Sequence, residues 1–175
     1  MDTEPAYFVC AHSKRDQCCA VFGRPVAAAL EDLRPGRVWE CSHTGGHRYA
    51  PIVLTLPAGA LYGRVDPALA SDLVAATDRG EVLPEYLRGV IGHSGPEQAA
   101  LAYAQQQTGR TELDAFAVDA AFEGEPGQWT VVVAGGGSTY EVIVDVLIVP
   151  TSYASCGKPD PKPQPQFVPR SLTAR

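Results

Sequence analysis

Residues 6–33 read AYFVCAHSKRDQCCAVFGRPVAAALEDL, and the framework of the chain follows from them. Ala6 to Val9 is a short apolar run, a buried strand that ends at Cys10. Ser13 to Asp16 form a charged loop, and Asp16 is placed to cap a helix running from Gln17 to Leu33. Pro25 either kinks that helix or restarts it, because proline removes one helical hydrogen bond. Arg34-Pro35-Gly36 then ends it.

Arg37 to Cys41 reads as a second strand, and Thr44-Gly45-Gly46 breaks the chain into a loop. Ile52 to Leu56 alternates and is β-branched, and Leu61 to Val65 follows a Pro57-Ala58-Gly59 hairpin turn. Asp66-Pro67 marks a helix start, with Leu69, Leu73 and Ala76 on one apolar face. The order β-α-β-β-β-α over residues 6–80 predicts a thioredoxin-like α/β core, assigned to residues 1–82. Residues 83–150 read as a helix opened by Gly95-Pro96 and closed by Gly109, then a three-stranded antiparallel meander packed on that core. The meander strands are Phe116 to Phe122, Trp129 to Val133 and Tyr140 to Val149, so the whole chain is α+β in class. Gly135-Gly136-Gly137 joins two of them and lacks a following Lys-Ser/Thr, so it is no phosphate loop. Over residues 151–175, prolines at 159, 161, 163, 165 and 169 predict an extended tail.

The 175-residue chain is 45% hydrophobic, enough for a real core, yet no apolar run approaches the roughly 20 residues of a membrane helix. Met1 to Pro5 carry acids where a secretory signal is basic and then apolar, so a soluble cytoplasmic protein is expected. The net charge of −6 disfavours nucleic acid and suits a carrier that docks a basic partner. Of five cysteines, Cys10, Cys18, Cys19 and Cys41 fall in the first quarter and Cys156 near the end. Adjacent Cys18 and Cys19 suit a disulfide framework poorly, whereas clustered thiols in a reducing compartment point to metal or redox chemistry.

Two segments concentrate the metal-capable side chains: CAHSKRDQCC at 10–19 and CSHTGGH at 41–47. Thiolate sulfur and imidazole nitrogen are the ligands of zinc and iron–sulfur centres. His43-x3-His47, spanning Gly45-Gly46, lets two imidazoles converge on one metal, since glycine permits the tight backbone required. Cys10, at a strand end, and Cys19, in the first turn of a helix whose N-terminus favours a thiolate, would face that loop. A second set remains open on spacing alone: Cys10-x-His12 and Cys41-x-His43 are both Rieske-type half-motifs.

These two segments resemble the paired signatures of the sucrase/ferredoxin-like family, which belongs with the thioredoxin-like [2Fe–2S] ferredoxins. The family pattern is Cys, a His two on, Arg-Asp, a second Cys nine positions after the first, and later His-x-Gly-Gly-His. It falls here on Cys10, His12, Arg15, Asp16, Cys19, His43, Gly45, Gly46 and His47, and the likeness runs from about Tyr7 to Val65. Longer members carry a substantial segment before the first cysteine, where this chain has nine residues. The resemblance implies a [2Fe–2S] cluster held by Cys10, Cys19, His43 and His47. His12, Arg15, Asp16, Gly45 and Gly46 would support it, with Cys18, Cys41 and Cys156 outside the ligand set.

Two ferric ions, two sulfides, two thiolates and two neutral imidazoles sum to zero charge, so reduction makes the site only singly negative. The potential is therefore expected above that of four-cysteine ferredoxins and, through the imidazoles, dependent on pH. No dinucleotide, flavin or triad motif accompanies the site. The expectation is an electron carrier or redox module working with a redox partner protein, without enzymatic activity of its own. The alternatives are a structural zinc protein with the same Cys2His2 set and a thiol-based redox sensor on the same fold. The sensor lacks the usual C-x-x-C.

Overall fold

The computed structural model of the chain describes residues 3–14, 17–152 and 160–175. Arg15, Asp16 and Cys156 lie outside the described residues. The chain forms two compact units, one built mainly from residues up to Ile91, the other from Gly92–Ser152 with Pro163–Arg175. The boundary thus falls after Ile91 rather than after residue 82.

The first unit is a mixed five-stranded sheet with two helices. Its strands are β1 (Ala6–Cys10), β2 (Val38–Cys41), β3 (Ile52–Leu56), β4 (Ala60–Gly63) and β5 (Leu87–Val90), in spatial order β2-β1-β3-β4-β5. β1 and β2 are parallel with Cys10 opposite Cys41, while β1–β3, β3–β4 and β4–β5 are antiparallel. A parallel pair needs a crossover, and α1 (Gln17–Leu33) supplies it. α1 runs through Pro25 as one helix, because Pro25 sits on the exposed face while Cys19, Gly23, Val26 and Leu30 form the buried stripe. Asp66 accepts a hydrogen bond from Leu69 N at 3.1 Å, capping the Pro67–Leu69 turn that leads into α2 (Ala70–Asp78). Tyr7, Val9, Val26, Leu30, Val53, Tyr62, Val65 and Leu73 fill the core. This is the α/β core expected from the sequence, extended by β5.

The second unit packs α3 (Gly95–Thr108) with β6 (Ala117–Glu123), β7 (Gln128–Gly135), β8 (Ser138–Ser152) and β9 (Lys162–Ala174). The sheet order is β6-β7-β8-β9. α3 starts in a reciprocal capping box between Ser94 and Glu97 and stops at the left-handed Gly109. Gly136 and Gly137, both at positive φ, form the two-residue turn between β7 and β8. Val131, Val133, Val142 and Val144 alternate inward against Ala100, Ala104 and Phe116.

The expected three-stranded meander is therefore a four-stranded sheet, and most of the expected tail is its edge strand. Pro163, Pro165 and Pro169 all fall on odd positions of β9. β9 lies at the edge of the sheet, the place in a sheet where proline is tolerated. No helix among the described residues is long and apolar enough to cross a membrane.

Candidate metal centre

Three elements of the first unit deliver donor atoms to one place. Cys10 ends β1 and Cys19 lies in the first turn of α1; both side chains are fully buried. α1 reaches the end of β1 because residue 23 is glycine: a Cβ there would collide with the Cys10 carbonyl oxygen. Gly23 sits one turn beyond Cys19 on the same face, so this close approach sets the cysteine against the strand end.

The third donor comes from the loop after β2. Gly45 and Gly46 have φ of 84° and 67°, left-handed values that side-chain-bearing residues rarely adopt. They reverse the chain into the single turn His47–Tyr49, closed by Tyr49 N donating to Gly46 O at 2.8 Å. The turn points His47 back toward the cysteines. The donor atoms of Cys10, Cys19 and His47 all lie within 4.8 Å of one another, and Cys19 Sγ is 3.3 Å from His47 Nδ1. Ile52, Ala50, Leu61 and Cys41 pack around the two sulfurs.

Among the described residues this is the one place where three Cys, His, Asp or Glu side chains come together in this way. His43 stands next to it, exposed, with its ring stacked on that of His47 at a centroid distance of 4.7 Å. His12 is exposed on the turn after β1. The Rieske-type set of Cys10, His12, Cys41 and His43 is therefore not assembled. Cys41 does neighbour Cys10, and Ala11 N donates to Cys41 O at 3.1 Å. Burial, and then the Cys10 sulfur beside it, push the Cys41 thiol up from its ordinary value. Cys18 is disulfide-bonded, against the expectation of reduced thiols only, which leaves Cys19 as the thiol this turn of α1 offers.

Two features escaped sequence reasoning. Gly23 looks like an ordinary helix glycine until its contact with Cys10 is known. Thr44, between the candidate histidine ligands, has a buried side-chain oxygen with no hydrogen-bond partner. A buried hydroxyl left unpaired costs about 1–3 kcal/mol, so the loop holds a donor in want of an acceptor. Two buried thiols and an imidazole fit a zinc or iron–sulfur centre.

Fold and site together define an α/β protein with a cysteine–histidine centre at the end of its first strand. Residues 2–89, half of the chain, match the sucrase/ferredoxin-like family, and the chain belongs to it. No curated protein matches it in sequence. Among solved structures it is similar to the thioredoxin-like [2Fe–2S] ferredoxin from Aquifex aeolicus, at 18% identity and a TM-score of 0.46 over 54% of this chain and 97% of that one. A cysteine-to-serine variant of that ferredoxin gives 19% identity and a TM-score of 0.44 over 49% of this chain and 99% of the other.

Proposed function

We propose that the chain is an electron carrier whose Cys10, Cys19 and His47, joined by His43, hold a [2Fe–2S] cluster. The observation that carries the reading is the convergence of two buried sulfurs and one imidazole within 4.8 Å. His43, its ring 4.7 Å from that of His47, is the remaining donor at hand. A bound [2Fe–2S] cluster supplies a one-electron couple.

The protein's own part is to set that couple's potential and to shield it. Two neutral imidazoles in place of two thiolates make the site less negative, which raises the potential above that of four-cysteine ferredoxins. Imidazole protonation makes it fall with rising pH. Ile52, Ala50 and Leu61 exclude water from the cysteine side, while the half-buried His47 and exposed His43 form the outward side. Electrons therefore enter and leave past the histidines, to a separate redox partner, in a cytoplasmic setting.

The test is a visible spectrum with iron, sulfide and zinc analysis of anaerobically prepared full-length chain. The expected result is a red-brown protein with about two irons and two labile sulfides per chain. A colourless protein with one stoichiometric zinc would replace this reading by a structural Cys2His2 zinc site.

A further inference from the structure

Tyr49 ends the short turn that carries His47, and three guanidinium groups surround its ring. Arg88 lies 3.5 Å from the ring centroid, Arg48 4.8 Å and Arg64 5.6 Å. Each contact is a favourable cation–π pair, but three positive charges about one ring repel one another. All three arginines are exposed, and among the described residues neither Arg64 nor Arg88 forms an ion pair.

The backbone holds the group in place. Arg64 has φ of 60°, a left-handed conformation found in a few per cent of non-glycine residues, and its N–H donates to Tyr49 O at 2.7 Å. Residue 63 is glycine, where a Cβ would stand 3.0 Å from Tyr49 Cβ and 3.1 Å from Arg88 Cδ. A side chain at 63 would press against both the base of the Tyr49 side chain and the arginine stacked on its ring.

Beside this group runs an apolar groove of about 400 Å³ between Val21, Phe22, Pro25, Ala50, Pro51 and Val65, with Arg64 and Asp66 also lining it. Asp66 is already occupied in capping the Pro67–Leu69 turn. Val21 and Phe22 are 56% and 53% exposed. Ala50 belongs both to the groove wall and to the packing around Cys10 and Cys19, so the groove and the candidate metal centre share a wall.

We propose that this face is the docking surface for an acidic redox-partner protein. The partner's carboxylates pair with Arg64 and Arg88, and an apolar contact fills the groove against Ala50. The inference rests on the electron-carrier reading and names the partner of that same site. An apolar centre with an arginine rim is the composition of a protein–protein interface. The chain as a whole carries a charge of −6, so net charge favours a basic partner. The local cluster opposes that charge, and an acidic protein drawn to it meets the chain in one orientation, over the histidine loop.

The test uses the full chain with two protein oxidants, an acidic plastocyanin and a basic cytochrome c. Stopped-flow rates are followed between about 0.01 M and 0.1 M salt, where the screening length falls from about 30 Å to about 10 Å. The rate with plastocyanin should fall as salt rises, although both proteins are net negative. Arg64→Gln with Arg88→Gln should slow it about tenfold at low salt, Arg64→Lys with Arg88→Lys should restore most of it, and the cytochrome c rate should rise in the glutamine variant. A plastocyanin rate that rises with salt, or that ignores the glutamine variant, overturns the proposal.

A binding readout separates this surface from the cluster. Plastocyanin added to the labelled chain should shift the amide signals of Val21, Phe22, Tyr49 and Arg64, and the glutamine variant should abolish the shifts. A colourless chain showing these shifts keeps the surface and contradicts the cluster. A red-brown chain lacking them keeps the cluster and overturns the surface. Shifts with inorganic phosphate but none with plastocyanin mean a small-anion site and also overturn it.

Discussion

The two units of the chain meet the same packing problem with different results. Each has a glycine whose missing Cβ lets a backbone carbonyl approach: Gly23 against Cys10 in the first unit, Gly135 against Ala115 in the second. Around Gly135 the neighbours are Phe116 and an alternating valine sheet, and the described residues of that unit carry no cysteine. Its one histidine, His93, stands 3.9 Å from Glu97 near the start of α3. Around Gly23 the same close approach brings two thiols to a strand end and a glycine loop returns an imidazole to them. Close packing alone makes a core; it makes a site when the segments it brings together end in donors.

The sharpest way to break that contrast is to remove donors. Cys10→Ser or Cys19→Ser should abolish metal and sulfide binding, while Cys18→Ser and Cys41→Ser keep both, as read by elemental analysis. Val142→Ala in the second unit should cost about 2 kcal/mol in denaturant unfolding and leave the metal content unchanged. Metal loss on Cys41→Ser would instead bring the Cys41 thiol into the ligand set.

The matched glycines come next. Gly23→Ala and Gly135→Ala should each destabilise by about 1–3 kcal/mol, because backbone must move to admit the methyl. Gly23→Ala alone should also weaken metal retention in a chelator-competition assay. Equal retention in both variants would separate the site from the helix contact assigned to place it.

Much of this was legible in the sequence. The bounds of α1, the Asp66 cap and the Gly109 stop follow from local chemistry that depends on few neighbours. Spacing alone left more than one donor set open; it was the family resemblance of the two segments that singled out Cys10, Cys19 and His47, whose donor atoms lie within 4.8 Å of one another. β5 was not: Leu87-Arg88-Gly89-Val90 has too short a pattern to declare itself and becomes a strand by pairing with β4. β9 was hidden by prolines that an edge strand tolerates. The arginine group about Tyr49 joins residues 48, 64 and 88, and no local window contains all three.

A smaller effect is expected at Thr44. If its orphaned hydroxyl donates to the bound centre, Thr44→Val should lower the midpoint potential by about 40 mV, one hydrogen bond of about 1 kcal/mol for one electron. Film voltammetry on the two proteins reads it directly, and an unchanged potential would leave the hydroxyl without that role.

The smallest effect lies in the second unit. Ser94→Ala should cost about 1 kcal/mol by opening the capping box, with no change in colour or potential. The box also has a pH signature. The Ser94 backbone N–H holds the Glu97 carboxyl below its ordinary value. Its contribution is therefore complete above about pH 4.3 and is lost as pH falls through the lowered folded value. Acid unfolding monitored by circular dichroism should show this loss in wild type and not in Glu97→Gln.

The central claim is that cysteine and histidine together hold the metal, and the direct measurement is pulsed electron paramagnetic resonance on reduced protein carrying 15N-histidine. The account predicts strong hyperfine coupling to two histidine nitrogens in wild type, to one in His43→Cys and to one in His47→Cys. A reduced cluster with no histidine nitrogen coupling would contradict it.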